Sequence, residues 1–329
     1  MKRHNLNVYD KTIEFNTFDV LFCQGFKKQP GTKYMGIGDD ILKDFLKQHP
    51  EAAEGNLSED DLRILIGNYQ QRKNESSDND FDGLSPEQMH ELVYFPMAMP
   101  GSISIRENCE DEIIDQVPLY ALSSLLLNHI VSAGKIKLTP KGNLPVTVCE
   151  ILYSSNNLYF PYKVFVKKIV EDDIPYIWVI KDYLLFEGIV KKRNNILTLT
   201  VKGEKYLLKT KKEQLKQLLF FFTQRLNWMN FFDNNEDVSG KLGWAYSLYL
   251  LKKYGSESQS NYFYSGKLYL AFGHLNKIGN SKFDQAYQTR FFDYFCEWFG
   301  FTKIDRGKGQ FSSGNYQIIK SDLFDKLFS

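Results

Sequence analysis

Apolar residues recur every three or four positions in several segments, a spacing that predicts amphipathic helices. In residues 39–48, for example, Ile41, Leu42, Phe45 and Leu46 fall on one stripe. Short alternating stretches between the helical segments indicate brief strands, so the pattern predicts a predominantly helical α+β protein. The other predicted helices cover about 58–69, 84–95, 119–132, 140–155, 174–190, 201–228, 244–253, 262–272 and 283–299.

Several helix ends carry capping signals. Ser85 before Pro86, with Gln88 three residues on, predicts a capping box, and Ser58 with Asp61 has the same outline. Gly134 is a suitable residue to end the helix at 119–132.

Strands and a linker divide the chain into three predicted regions. Strands are predicted at 101–106, 136–139 and 162–170, and a terminal hairpin at 301–305 and 316–319, followed by a helix that Ser321 caps. The polar segment 70–83 predicts a flexible linker. The predicted regions are an acidic N-terminal region 1–83, a central region 84–232 and a C-terminal module 233–329.

A short pattern, LTxKG, occurs twice, at Leu138–Gly142 and Leu199–Gly203. In each copy the leucine would end a buried strand, and the threonine hydroxyl would cap the next helix. The second copy follows a basic turn at 193–195, and this order resembles the last wing strand and closing helix of winged-helix domains. The terminal hairpin, joined by RGKGQFSSG, is also wing-like. The resemblance implies tandem winged-helix-like modules with short wing hairpins.

A second resemblance rests on LSPEQMHELVYFP and the later KLTPKGNLP segment. These resemble a family of uncharacterised bacterial proteins, some of which also carry the cysteine-rich SEC-C metal-binding motif. That motif is absent from this sequence, so the resemblance implies no zinc site and transfers no activity.

Charge is unevenly distributed although the net charge is only +1. Residues 1–116 contain 12 basic and 22 acidic side chains, whereas residues 117–232 contain 17 basic and 8 acidic ones. Such asymmetry indicates either a polyanion-binding middle region or an acidic part docked on a basic part.

No catalytic or cofactor signature stands out, so we expect a non-enzymatic protein without a cofactor. The four cysteines lack CxxC spacing and no HExxH pair exists, which argues against a metal site. The glycines at 31, 36 and 38 lack the spacing of a phosphate loop. The N-terminus has no apolar signal-peptide core, and no apolar run reaches membrane length, so a cytoplasmic protein with no membrane partner is expected.

Basic residues beside the predicted wings are the candidate site. They would contact the phosphates of DNA or RNA and bind the nucleic acid without catalysing a reaction. The alternative is a protein-protein interaction or structural module without nucleic-acid contact, and the sequence leaves both open, together with the oligomeric state. The aromatic stretch 218–232 is assigned to packing. The candidate contacts are Lys191, Lys192, Arg193, Lys202, Lys205, Arg306 and Lys308.

Overall fold

A computed structural model describes residues 37–55, 57–96, 102–158, 168–231, 244–272, 281–307 and 316–329. The chain divides into two compact units, residues 1–75 and 76–329. The described part is predominantly helical with two small antiparallel sheets, as the pattern of apolar residues predicts.

The described part of the N-terminal unit is a helical hairpin. Phe45 and Tyr69 are buried against each other in an edge-on ring contact of 5.3 Å. The Tyr69 hydroxyl and Lys73 both bind the Asp44 carboxylate, at 2.8 and 2.7 Å. Its helices are α1 (Ile37–Gln48), α2 (Pro50–Ala53) and α3 (Glu59–Glu75).

The second unit begins with two helices ahead of its first module. Ser85 and Gln88 form the predicted capping box at the start of the first of them. Between these two helices, Ile105 forms an antiparallel β-bridge with Phe328, near the last residue of the sequence. The two helices are α4 (Pro86–Tyr94) and α5 (Asp111–Ile114).

The first module is a helix, a short strand, two helices and a hairpin, followed by two further helices. Its sheet has the order β1-β3-β2, with both pairs antiparallel. Its elements are α6 (Pro118–Ala133), β1 (Ile136–Lys137), α7 (Val146–Ser154), α8 (Pro175–Phe186), β2 (Val190–Arg193), β3 (Ile196–Leu199), α9 (Val201–Leu207) and α10 (Lys211–Phe220).

The second module repeats this order of elements. Its sheet, β4-β6-β5, has the same antiparallel arrangement, with the last strand in the middle. Its elements are α11 (Trp244–Tyr254), β4 (Gln259–Ser260), α12 (Asn261–Ala271), α13 (Ser281–Tyr287) continuing through the π-helical Gln288–Cys296 into α14 (Glu297–Phe299), then β5 (Thr302–Asp305), β6 (Gln317–Lys320) and α15 (Asp322–Leu327).

In each module, one side-chain hydroxyl forms hydrogen bonds both to the end of the third helix and to the start of the closing helix. We call this arrangement the hydroxyl latch. Thr200 caps α9 by accepting from the Gly203 amide at 2.9 Å, and it donates to the Gly188 carbonyl at 2.6 Å. Ser321 does the same in the second module, with the Phe324 amide at 3.1 Å and the Gly300 carbonyl at 2.6 Å. Gly188 and Gly300 have φ of 65° and 71°, a backbone conformation that favours glycine.

An aromatic connection joins the modules into one core. Residues 221–231 follow α10 as a π-helical turn and a 3-10 turn. Trp228 is 2% exposed and donates its indole N–H to the Phe222 carbonyl at 2.7 Å. It stacks on Trp244 at 4.6 Å and lies 6.4 Å from Trp298, both in the second module. Most apolar side chains in the described part of the 218–232 stretch therefore pack inside the molecule, as predicted, whereas Phe220 is exposed.

Several local predictions are confirmed and others are wrong. The Thr200 and Ser321 caps and the terminal hairpin are present. Thr139, in the first LTxKG copy, accepts instead from the Asn143 amide within a turn, and α7 begins only after Pro145. Within the predicted linker 70–83, residues 70–75 are the last turns of α3, and Asp82 is buried.

Two of the predicted strands are not found as regular strands among the described residues. In the predicted strand 101–106, the only described pairing is the bridge of Ile105. The strand predicted at 162–170 lies largely outside the described residues.

Candidate functional site

The β2–β3 hairpin forms one side of the first module and carries the densest group of cations. Its two-residue turn, Asn194 and Asn195, has φ of 50° and 56°, the left-handed values that a type I′ turn requires. Asparagine tolerates this conformation better than most residues, so the sequence itself selects the tight turn. Because β2 lies at the edge of the sheet, its side chains have a strand on one side only.

Alternation along the strands separates the cations between two faces. Arg193 lies opposite Ile196, and Ile196 lies opposite Lys137 of β1, so these three share the outer face. Lys191 is two residues from Arg193 and belongs to the same face. The outer face therefore carries Lys137, Lys191 and Arg193, all exposed.

Lys192 points to the opposite face. It lies opposite the buried Leu197, and its ammonium group sits so close to Gly142 that a Cβ there would collide with it. Lys192, one of the predicted contacts, therefore lies on the other face of the hairpin from Lys191 and Arg193. Lys137 was missed, although the alternation in its short strand gave a signal for it.

Two more predicted cations lie on α9 near the base of the hairpin. Lys202 and Lys205 are three residues apart, so they lie on neighbouring positions of one helix face. The aliphatic stem of Lys202 packs beside Gly188, two residues before β2 begins. Both side chains are exposed.

Among the described residues, no carboxylate is bound to the cations of the hairpin or of α9. Within the ranges that the structure describes, no ion pair is formed by Lys137, Lys191, Lys192, Arg193, Lys202 or Lys205. A group of unpaired exposed cations produces a local positive potential that a neutralised group lacks.

The corresponding hairpin of the second module is neutralised by its own molecule. Lys303, at the position equivalent to Lys191, lies 3.5 Å from Asp322. Arg306 lies 2.8 Å from both Asp293 and Glu297. Burial would lower the pKa of Arg306, but its bonds to these carboxylates raise the pKa above the ordinary value.

Of the two contacts predicted in this hairpin, Arg306 alone lies among the described residues. Arg306 is wrong as a free contact, because both of its carboxylate partners belong to the same chain. Lys308 lies outside the described residues.

The two lysines at the start of α10 also have partners within the same chain. Lys211 binds Asp115 at 2.6 Å, and Lys212 donates to the Glu107 carbonyl at 2.9 Å. The acidic segment before the first module thus covers part of the basic middle region. Acidic and basic stretches of the chain therefore meet inside one folded unit, and the cations of the hairpin and α9 are among those that no described carboxylate pairs.

A second polar cluster surrounds Asp82, which is only 5% exposed. Its carboxylate accepts from Tyr246 at 2.9 Å, Tyr254 at 2.5 Å and Lys267 at 2.8 Å. Its carbonyl accepts from Lys253 and from Tyr249. Burial would raise the pKa of Asp82, but the hydrogen bonds from Lys267 and the tyrosines outweigh it and lower the pKa below its ordinary value.

Asp78, Asp80, Asp82 and Gly83 have the spacing with which EF-hand calcium loops begin. Here the Asp82 carboxylate already binds an ammonium group, and the twelfth position, which supplies a glutamate in EF-hands, is the buried Met89. No group of three or more His, Cys, Asp or Glu in the described ranges is arranged to hold a metal ion. The Asp82 cluster therefore fastens the loop 78–84 to α11 and α12.

Comparisons with known proteins give no relative from which a role could be transferred. No family model matches the chain, and neither the curated proteins nor the solved structures contain a significant match. Among the described helices, none combines the length and the apolar character needed to cross a membrane.

Proposed function

We propose that the chain is a non-catalytic accessory protein made of two winged-helix modules, and that it binds nucleic acid through the β2–β3 wing of the first module. The helix–strand–helix–helix–strand–strand order and the sheet with the last strand in the middle support this description of the modules. The wing would place Lys191 and Arg193 against phosphates, with Lys137 behind them and Lys202 and Lys205 at the base.

One observation carries this proposal. Two hairpins of the same topology occur in one molecule, and only the first keeps its cations unpaired among the described residues. Lysines kept for solubility alone would need no such difference between the wings. Free cations facing solvent on one wing are what phosphate contact requires.

The test is fluorescence anisotropy with short labelled nucleic acids as the salt concentration rises. Wild type should bind at low salt, and its affinity should fall with a log–log slope of roughly −3 to −5, since each phosphate contact contributes about −0.9. The double variant Lys191→Gln, Arg193→Gln should bind more weakly and reduce the slope by about 1 for each cation removed. Lys303→Gln, at the equivalent position of the second wing, is the matched control and should bind like wild type. Absence of binding by wild type at low salt would refute the proposal.

A second candidate function is protein binding, and exposed apolar residues beside the basic region favour it. Phe186, Leu208 and Phe220 are 60%, 87% and 43% exposed. Phe186 and Leu208 each precede a residue, Glu187 or Lys209, that bonds to Gln217 at 2.8 and 2.7 Å, and Phe220 lies three residues after Gln217 in α10. Exposed apolar groups gathered in one place are typical of protein interfaces. A Leu208→Ser, Phe220→Ser variant should reduce the fluorescence of a bound apolar dye while leaving nucleic-acid affinity unchanged.

A further inference from the structure

We infer that the ligand of the first wing is the backbone of double-stranded nucleic acid, bound without reading the base sequence. The inference rests on the proposed function and adds the class of ligand and the way it is recognised. The residues that the fold buries point to this mode of binding.

The third helix of a winged-helix module is the element that reads base edges in the major groove. In the first module this helix is α8, and most of it is inaccessible. Tyr176, Ile177, Val179, Ile180, Lys181, Tyr183 and Leu184 are all buried. Its one lysine, Lys181, is bound to Glu171 in the interior. The charged side chain that α8 does expose is Asp182, which phosphates would repel.

The aromatic connection 221–231 packs against this helix. Trp178 of α8 stacks on Phe231 at 5.2 Å, and Tyr183 contacts Phe221 at 5.3 Å. A groove-reading position for α8 would require these ring contacts to open. That would expose a large apolar area to water, which is unfavourable at about 25 cal/mol per Å².

The third helix of the second module packs on the same connection. Phe231 contacts Tyr294 at 5.1 Å, and Phe222 contacts Phe299 at 5.3 Å. Within the helix, Arg290 is 1% exposed. The two helices that would discriminate between bases are thus both committed to one shared core.

What remains on the wing suits a duplex better than a single strand. Proteins that bind single strands without sequence preference stack the bases on aromatic side chains. The described outer face of the sheet carries Lys137, Lys191, Arg193, Ile196 and Thr198, and none of these is aromatic. The cations on this face have no stacking surface among them, and they can neutralise phosphates, whose spacing and direction a duplex fixes in advance.

The experiment measures wild-type affinity for three duplexes of unrelated sequence, for their separated strands and for heparin, at one low salt concentration. We expect the three duplexes to agree within about threefold, in contrast to the roughly 10³-fold or larger preference of a sequence-reading protein. We also expect each duplex to bind at least several-fold more tightly than its strands.

Each result decides between named alternatives. A strong preference for one duplex, or tighter binding of single strands, overturns the inference while the proposed function stands. Heparin binding as tight as duplex binding also overturns it, because the site would then recognise charge alone. No binding to any of the probes overturns the proposed function itself. Lys191→Gln, Arg193→Gln must lose duplex affinity equally for all three sequences, and Asp182→Asn, which changes the exposed acid of α8, must not create a preference.

Discussion

At the scale of single residues, Asp82 brings together more polar partners than any neighbour in its loop. Three tyrosine hydroxyls and two ammonium groups converge on one residue. The ammonium groups also lie over aromatic rings, with Lys267 5.3 Å from the Tyr254 centroid and Lys253 5.2 Å from it. Asp82 has φ of 55°, so the loop holds an uncommon conformation to deliver this carboxylate.

Removing this carboxylate should destabilise the second unit strongly. Asp82→Ala leaves Lys267 and the tyrosine hydroxyls without their acceptor, and breaking a buried pair in this way costs about 3–5 kcal/mol. The free energy of unfolding from urea titration measures the change. Asp80→Ala, two residues away and exposed, is the control and should lie within about 0.5 kcal/mol of wild type. Equal effects of the two substitutions would contradict the role of the cluster.

The same cluster predicts how stability depends on pH. The folded-state pKa of Asp82 lies below the ordinary value of about 4, so its contribution to stability is fully present above pH 4. That contribution is lost as the pH falls through the lower folded-state pKa. We therefore expect wild type to lose stability below about pH 4 more steeply than Asp82→Asn, measured by melting temperature at a series of pH values. If the melting temperatures of wild type and Asp82→Asn fall in parallel below pH 4, other carboxylates determine the loss of stability in acid.

At the scale of elements, the hydroxyl latch joins three elements of each module through a single side chain. Thr200→Ala and Ser321→Ala each remove a helix cap and a second hydrogen bond, so we expect losses of about 1–2 kcal/mol in the free energy of unfolding. Thr200→Ser keeps the hydroxyl and should retain most of the stability. Urea titrations of the three variants check this. A loss in only one module would mean that the two latches are not equivalent.

How much of each element the sequence predicts depends on whether its signals are local. The capping box at Ser85, the cap at Ser321 and the end of α6 at Gly134 follow from residues a few positions apart, and each is present. The two LTxKG copies look alike, yet Thr200 caps a helix and Thr139 closes a turn. What separates them is the register of β1 on β3, which involves residues about sixty positions apart.

The candidate site was predicted in part for the same reason. Cation-rich segments are visible in any sequence, but the ion pairs of Arg306 with Asp293 and Glu297 depend on how β5 packs against the preceding helix. The docking of Lys211 on Asp115 likewise joins residues nearly a hundred positions apart. Composition therefore located the basic region, and only the packing showed which of its charges remain free.

At the scale of the whole molecule, the two modules share one aromatic core and should unfold together. Trp228→Ala removes a side chain of the connection that packs on Phe222 and on Trp244 and Trp298 of the second module, and we expect a loss of about 3–5 kcal/mol in the free energy of unfolding. Near-ultraviolet circular dichroism during urea titration reports on these rings. Leu270→Ala, an exposed apolar substitution, is the control. Two separate transitions in wild type would contradict a shared core.

The position of β2 at the border of its sheet has one more consequence. A border strand offers unsatisfied amide and carbonyl groups, and a second chain can pair with them and seed fibrous aggregates. Lys191, Lys192 and Arg193 oppose this by mutual charge repulsion between molecules. Replacing them with valine or isoleucine would therefore produce insoluble protein, whereas glutamine keeps the strand polar and isolates the loss of ligand binding.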